Sequence, residues 1–243
     1  MPRTSQELAP VCILAGGLGS RLGEQVRDTP KPLITVAGEP FVLHQLRLLA
    51  AAGAQEVVLC VGYLGERIEE TIGDERFGIR IRYSYDGPGL DGTLGAIRRA
   101  LPLLGQRFLT LYGDTYLRVD YAAFDDSWGT SGLPGAMAVL RNAGQWDVSN
   151  AVFSEDLVTE YNKSVPSSEM KWIDYGLGGL TREALDMVSA DRRDLSDLQQ
   201  ELAQRHLLHG YEATARFYEI GTPNALRETD VFLSQNRSSE ING

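Results

Sequence analysis

Apolar residues in the first half of the chain follow two alternating patterns. Short apolar runs are separated by longer stretches in which apolar residues recur every three or four positions. The first pattern predicts strands and the second amphipathic helices, and their alternation favours an α/β fold with a parallel sheet and helices on both faces. The predicted strands are Val11–Leu14, Glu56–Gly62, Ile79–Tyr85 and Phe108–Tyr112, and the predicted helices are Phe41–Ala52, Gly65–Ile72 and Thr93–Leu104.

The second half of the chain has a shorter and less regular pattern. Its short apolar runs predict an antiparallel excursion after the parallel part, and we see neither a repeat nor a linker. A single domain is therefore expected. The predicted strands are Ala136–Leu140, Val148–Phe153, Val158–Tyr161 and Ala215–Glu219, with an apolar glycine-rich stretch at Trp172–Leu180, and the predicted helices are Arg182–Val188, Ser196–Leu207 and Asn224–Leu233.

The stretch LAGGLGSRLG at positions 14–23 follows the first predicted strand. Its glycines remove side chains where backbone N–H groups must approach a ligand closely, and successive bare N–H groups form a concavity suited to phosphate oxygens. Arg21 and Lys31 add two cations that match a polyphosphate. The alternative is a tight strand-to-helix turn with solvated cations.

Two well-known glycine loops do not match this stretch. A P-loop requires Gly-Lys followed by Ser or Thr, which is absent from this loop. The dinucleotide fingerprint requires a third glycine three residues after the second, and Leu22 occupies that position. The stretch therefore indicates a phosphate-binding loop of another kind.

Composition narrows the expected partners. The 243 residues carry a formal net charge of −10 and no run of Lys or Arg, which disfavours nonspecific binding to nucleic acid or to an anionic membrane. Cys12 and Cys60 lie in apolar runs and are expected to be buried free thiols. The three histidines are expected to be structural. Neither a signal peptide nor a membrane-spanning run is visible, so we expect a soluble cytoplasmic protein.

The loop, together with the PKPL at positions 30–33, closely resembles the signature of sugar-1-phosphate nucleotidyltransferases. The resemblance extends to GTLGA at 92–96, GD at 113–114, Lys163 and EIGTP at 219–223, with the guanylyltransferases of heptose and mannose 1-phosphate most similar. It implies a Rossmann-like, glycosyltransferase-A-like fold with a small antiparallel sugar-binding excursion. The implied organisation is a nucleotide-binding half at 1–115, a sugar-phosphate half at 116–233 and a frayed tail at 234–243.

Carboxylates at strand ends are the candidate metal ligands. Asp114 directly follows an apolar strand, where a carboxylate suits Mg²⁺, although a turn cap is the alternative reading. The resemblance implies that Glu219 is the second ligand. The family normally has Asp at that position, and the extra methylene of Glu alters the reach of the carboxylate.

The resemblance also implies a sugar-phosphate site in the second half of the chain. The family's Glu-Lys pair is replaced by Asn162 and Lys163, and an Asn-Ala-Gly-like segment is replaced by Asp174, Tyr175 and Gly176. Lys163 would bind the phosphate of the sugar, and Asn162, Asp174 and Gly176 would contact the sugar. The departures indicate an unusual sugar, and a solvated surface lysine is the alternative for Lys163.

The implied reaction joins a nucleoside triphosphate and a sugar 1-phosphate to give a nucleotide sugar and pyrophosphate. Asp86 can accept the two parallel N–H donors of guanine, which favours GTP, whereas a turn-stabilising role is the alternative. A cytidylyl- or uridylyltransferase and a catalytically silent nucleotide-sugar sensor are the other hypotheses, and a homodimer is possible. The expected catalytic residues are Arg21, Lys31 and Asp114, and the expected nucleotide-binding residues are Leu14, Ala15, Gly16, Gly17, Gly19, Ser20, Asp86, Gly92 and Thr93.

Overall fold

A computed structural model describes residues 7–17, 22, 29–87, 92–142 and 144–241. Each helix and strand is labelled in chain order. The strands are β1 Val11–Leu14, β2 Thr35–Val36, β3 Glu39–Pro40, β4 Glu56–Val61, β5 Glu75–Arg76, β6 Ile79–Tyr85, β7 Arg107–Tyr112, β8 Thr115–Tyr116, β9 Gly135–Arg141, β10 Ala151–Ser154, β11 Leu157–Tyr161, β12 Trp172–Thr181, β13 Leu208–Ala213 and β14 Tyr218–Glu219. The α-helices are α1 Phe41–Ala51, α2 Gly65–Ile72, α3 Gly92–Ala100, α4 Tyr121–Ser131, α5 Leu195–Gln204 and α6 Pro223–Ile241.

Ten of the described strands form one mixed sheet in the order β10-β11-β13-β9-β12-β7-β1-β4-β6-β5. The four strands β7, β1, β4 and β6 run parallel, as the sequence predicts. The next strand, β12, pairs antiparallel with both β7 and β9, and it joins the two halves of the chain into one sheet. The expected excursion is the β10–β11 hairpin, which extends this sheet through β13.

Alternate side chains of the parallel strands lie on opposite faces of the sheet. In β1, Val11 and Ile13 pack with α1, α2 and α4, whereas Cys12 faces α3 and α5. The near-continuous apolar runs predicted as buried strands are therefore covered on both faces. Both cysteines are buried free thiols, also as expected. None of the helices in the described part is long and apolar enough to cross a membrane.

Two elements of the second half differ from the sequence expectations. Leu208–Ala213, which no pattern predicted, forms β13 and pairs parallel with β9. The expected strand at Ala215–Glu219 shrinks to the two residues of β14. Strand β13 was not predicted because Gly210 weakens its strand pattern. The fold requires glycine at this position, because a Cβ would lie 2.4 Å from the Phe153 ring.

The helices of the second half also differ from expectation. Helix α4 had no predicted counterpart, and α5 begins after Asp194, which caps it, and ends at Gln204. Residues 182–187 form a 3-10 helix capped by Thr181. The last helix continues to Ile241, so the backbone of residues 234–241 is helical where a frayed tail was expected.

The contact between β12 and α4 leads to a stability prediction. A Cβ on Gly179 would lie 2.5 Å from Cε3 of Trp128, so Gly179→Ala should reduce the free energy of unfolding by about 1–3 kcal/mol through overpacking. Urea denaturation measures the change. The matched control is Gly105→Ala. Gly105 lies in a loop, and a Cβ there would lie 3.5 Å from the nearest atom, the carbonyl oxygen of Arg107. Equal stability of the two variants would contradict this packing.

Candidate active site

A cavity of about 400 Å³ lies beyond the carboxyl ends of β1, β6 and β7. Ligands of open parallel sheets bind at this edge. A larger cavity, of about 630 Å³, lies at the amino ends of the strands, away from the glycine loop, and Glu7, Glu56, Glu75 and Arg80 are among its lining residues. The carboxyl-edge cavity contains the described residues that the sequence indicated for nucleotide binding, which are Leu14, Ala15, Gly16, Gly17, Asp86, Gly92 and Thr93.

Glycines after β1 and β4 allow Asp86 to reach the cavity wall. A Cβ on either Gly16 or Gly62 would lie 2.7 Å from Oδ2 of Asp86. The backbone N–H of Asp86 donates to the Val61 carbonyl at 2.8 Å, which continues the β4–β6 ladder past the end of the strand. The carboxylate therefore lies against the glycine loop.

Lys31 and Asp114 form an ion pair inside this cavity. Nζ of Lys31 lies 2.5 Å from Oδ2 of Asp114, and the two side chains are 11% and 28% exposed. Lys31 begins a 3-10 helix after Pro30, and Asp114 follows the end of β7. The pair connects the segment after the glycine loop to the neighbouring strand end.

Glu219 lies beside Asp114. It pairs with Thr115 across β14 and β8, and the backbone N–H of Ile220 donates to the Asp114 carbonyl at 3.0 Å. Ile220 is fully buried, which anchors this turn. Gly221 lies next to both charged groups. A Cβ built on Gly221 would be 3.4 Å from Oε2 of Glu219 and 3.7 Å from Nζ of Lys31.

These two carboxylates suit a magnesium ion that also binds phosphate. Among the residues that the structure describes, no group of three or more His, Cys, Asp or Glu side chains is arranged to hold a metal. Mg²⁺ commonly takes one or two protein carboxylates together with substrate phosphates. The oxygen donors of Asp114 and Glu219 fit that requirement.

A second polar cluster surrounds Lys163, after β11. Its ammonium lies 3.2 Å from Oδ2 of Asp174 and donates to the hydroxyl of Tyr112 at 3.2 Å. The ring centroids of Tyr112 and Tyr161 lie 5.0 Å and 5.9 Å from the ammonium. Tyr112 also lines the carboxyl-edge cavity, so it connects the two clusters.

The Asp174 carboxylate is occupied by donors from the protein itself. Oδ1 accepts from the backbone N–H of Gly176 at 2.9 Å, and Oδ2 accepts from the Tyr161 hydroxyl at 3.0 Å. Together with Lys163, these donors surround a side chain that is only 3% exposed. These contacts hold Asp174 against Lys163, and the expected role of Asp174 in accepting sugar hydroxyls stays a prediction.

Asn162 is committed to the local turn. Its Oδ1 accepts from the backbone N–H groups of Ser164 and Val165, both at 2.9 Å. The amide nitrogen is therefore the part of this side chain that can serve a ligand. Gly176, two residues after Asp174, has φ +96, a left-handed backbone conformation that favours glycine.

Burial and charge oppose each other at Lys163. Burial lowers the pKa of its ammonium, but the Asp174 carboxylate and the Tyr112 hydroxyl outweigh burial and raise it above its usual value. Burial also raises the pKa of Tyr112 to about 12, and the Asp174 charge adds to this effect. At neutral pH the cluster therefore holds an ammonium beside neutral phenols.

Three residues expected in the site are not part of the described structure, and two residues in the site were not expected. Arg21, Gly19 and Ser20 lie outside the described residues. The sequence patterns did not indicate Tyr112 or Tyr161 as site residues, although each directly precedes a candidate pair, Gly113-Asp114 or Asn162-Lys163. His44 and His209 are structural as expected, with His44 bound to the Val36 carbonyl and His209 to the Ser127 hydroxyl.

Removal of the Asp174 charge tests the electrostatics of the cluster. In Asp174→Asn the pKa of Lys163 should fall, because burial continues to disfavour the ammonium after its counter-charge is lost. NMR titration of the lysine side chain measures this shift. Asp186→Asn, which changes an exposed carboxylate away from the cluster, is the matched control and should leave Lys163 unchanged. An unaltered pKa of Lys163 in Asp174→Asn would contradict the assignment.

Comparisons with known proteins identify the family of the chain. The profile of the MobA-like NTP transferase domain matches residues 11–164. An N-acetylmuramate alpha-1-phosphate uridylyltransferase of Neisseria meningitidis is 32% identical over 231 residues, which cover 90% of this chain and 96% of that protein. A D-glycero-alpha-D-manno-heptose 1-phosphate guanylyltransferase of Campylobacter jejuni is 29% identical over 212 residues, which cover 87% and 94%.

A solved structure shows the same fold. The crystal structure of HddC from Yersinia pseudotuberculosis superposes with a TM-score of 0.77 at 21% identity, and the match covers 93% of this chain and all of that chain. The profile match covers more than half of the chain, and the similarity to the uridylyltransferase covers nearly all of it. The chain belongs to the MobA-like NTP transferase family, among the sugar-1-phosphate nucleotidyltransferases.

Proposed function

We propose that the protein transfers a nucleotidyl group from a nucleoside triphosphate to a sugar 1-phosphate, releasing pyrophosphate. The observation that carries this proposal is the position of Tyr112. It lines the cavity of the glycine loop and also holds Lys163 through its hydroxyl. A triphosphate in the cavity and a phosphate on Lys163 would therefore lie on either side of one side chain.

The proposed chemistry needs no covalent enzyme intermediate. An oxygen of the acceptor phosphate attacks the α-phosphorus, and the bond from that phosphorus to the pyrophosphate oxygen breaks, so pyrophosphate leaves with the electron pair. The acceptor oxygen is already anionic and needs no base. Positioning and charge neutralisation supply the catalysis, as in phosphoryl transfer generally.

Each cation has a proposed part in this step. Lys31 neutralises the α-phosphate, and Arg21 stabilises the departing pyrophosphate. Lys163 holds the acceptor phosphate, and Asp174 fixes the position and charge of Lys163. Asp114 and Glu219 would hold a magnesium ion, which would supply charge neutralisation at the phosphates.

Guanine is the proposed nucleobase. Asp86 lies at the cavity wall beside Gly16, where a carboxylate can accept the N1–H and N2–H donors of guanine. The compared relatives include both a guanylyl- and a uridylyltransferase, so uridylyl or cytidylyl transfer is the alternative. The cytoplasmic location and the homodimer expected from the sequence stay predictions.

Substrate identity is tested by pyrophosphate release with each of the four common nucleoside triphosphates and a panel of sugar 1-phosphates. We expect turnover with GTP and a heptose or hexose 1-phosphate, dependent on Mg²⁺. Turnover with UTP or CTP alone would overturn the guanine assignment. Nucleotide binding without turnover of any pair would favour the silent sensor and overturn the proposed enzyme.

Substitutions of the ion pair test the mechanism. Lys31→Ala and Asp114→Ala should each reduce kcat/KM by about a hundredfold to a thousandfold, because each removes charge stabilisation at the reacting phosphates. The same pyrophosphate assay gives the rates, and circular dichroism verifies folding. The matched control is Lys171→Ala, whose ammonium donates to the Ser168 carbonyl away from both clusters. Retained activity in a folded Lys31→Ala or Asp114→Ala variant would exclude its proposed role.

A further inference from the structure

Another cleft, of about 440 Å³, lies beside α3 and is rich in arginine. Arg98 and Arg99 of α3 and Arg192 and Arg193 of the loop before α5 line it, with Asp191 as the acidic lining residue. Four arginines line this cleft in a chain whose formal net charge is −10. Such a local excess of positive charge needs an explanation, and it takes no part in the proposed reaction.

The loop that forms this cleft is held in shape by Arg98. Its two terminal nitrogens donate to four consecutive or nearly consecutive backbone carbonyls at 2.8–3.5 Å, those of Val188, Ser189, Ala190 and Arg192. The loop is thereby ordered without a ligand. A cleft ordered in advance loses less conformational entropy when an anion binds.

Arg192 stands at the exposed side of the cleft. Its guanidinium lies 3.3 Å from Asp197 of α5, and the Arg192 side chain is 60% exposed. Exposed ion pairs contribute little net stability, so an anion can compete with Asp197 for Arg192 at small cost. Guanidinium groups bind phosphate oxygens with paired, charge-assisted hydrogen bonds.

The cleft contacts the wall of the nucleotide cavity. The Arg193 carbonyl accepts from the backbone N–H of Leu94 at 2.8 Å, and Thr93 Oγ1 accepts from the N–H of Leu195 at 2.7 Å. Gly92 has φ +70, and a Cβ there would lie only 2.4 Å from the Arg193 carbonyl oxygen. Gly92 and Thr93 line the cavity, so the loop before α5 and the cavity wall share these contacts.

Arg99 reaches the other end of the same wall. A Cβ on Gly87 would lie 2.7 Å from Nη2 of Arg99. Gly87 follows Asp86, which lies at the cavity wall. Residues of the arginine cleft therefore contact the chain on both sides of the segment between Gly87 and Gly92.

We propose that the arginine cleft, whose loop is held in shape by Arg98 and which Arg99, Arg192 and Arg193 also line, is a binding site for a small phosphate-bearing anion, and that its occupation changes the affinity of the neighbouring cavity for nucleotide. The anion is held between α3 and the loop before α5. Binding at the cleft does not depend on the proposed reaction, whereas the second part rests on the cavity being a nucleotide site.

Hydrogen–deuterium exchange with inorganic phosphate as the probe tests binding at the cleft. Phosphate should slow exchange in peptides covering 188–195 of the wild-type protein, and sodium chloride at the same ionic strength should not. In the double variant Arg99→Ala/Arg192→Ala the apparent Kd should rise about tenfold or more, through the loss of two charged donors. Both side chains are exposed, so the variant should fold, which a thermal melt verifies.

Two further variants separate the cleft from the nucleotide cavity. Lys31→Ala, which removes a cation of the cavity, should keep the phosphate-dependent protection of 188–195. Arg205→Ala is the matched loss of an exposed arginine elsewhere, since Arg205 pairs with Glu201 at the far end of α5, and it should behave as wild type. Three results would overturn the proposed anion site: no protection in the wild type, loss of protection in Lys31→Ala, or unchanged protection in the double variant.

Equilibrium binding of labelled GTP with and without phosphate tests the coupling. Direct competition between phosphate and nucleotide in the cavity is the same in both proteins. Any further change in the Kd for nucleotide comes from the cleft, so phosphate should change this Kd severalfold more in the wild-type protein than in the double variant. An equal change in both proteins would overturn the coupling. Phosphate-dependent protection in a protein that turns over no substrate pair would leave the cleft site standing and reject the proposed enzyme.

Discussion

The ion pair between Lys31 and Asp114 is the contact on which the arrangement of the site depends. It joins the segment after the glycine loop to the end of β7, 83 residues later in the chain. The backbone of Asp114 then holds Ile220, and with it the turn that carries Glu219. Loss of Lys31 would leave the half-buried Asp114 carboxylate without this cation, which costs more free energy than the pair itself contributes.

The cluster around Lys163 shows the same balance of burial and charge. The Asp174 carboxylate, only 3% exposed, would be expensive without a counter-charge, and Lys163 supplies one. The carboxylate accepts from protein groups on both oxygens and so keeps one orientation. A lysine held in this way presents a fixed positive charge, which suits the binding of a phosphate more than the recognition of a particular sugar.

Periodicity predicted the parallel half of the fold well, because β1, β4, β6 and β7 are covered on both faces and their sequences are correspondingly apolar. It failed where glycines allow close packing: the Gly210 backbone meets the Phe153 ring, and Gly179 meets Trp128 of the unpredicted α4. The site residues at strand ends were predictable from topology. The contacts of Asp174 were not, because its donors Tyr161, Lys163 and Gly176 lie within 13 residues of it in the sequence but are brought together only by the fold.

The central claim is that a triphosphate and an acceptor phosphate meet on either side of Tyr112. A crystal structure of the protein with a non-hydrolysable GTP analogue, Mg²⁺ and a sugar 1-phosphate tests it most directly. The account predicts the α-phosphate beside Lys31, the acceptor phosphate on Lys163, and an acceptor oxygen about 3–3.5 Å from the α-phosphorus. A triphosphate away from the glycine loop, or an acceptor phosphate without contact to Lys163, would contradict it.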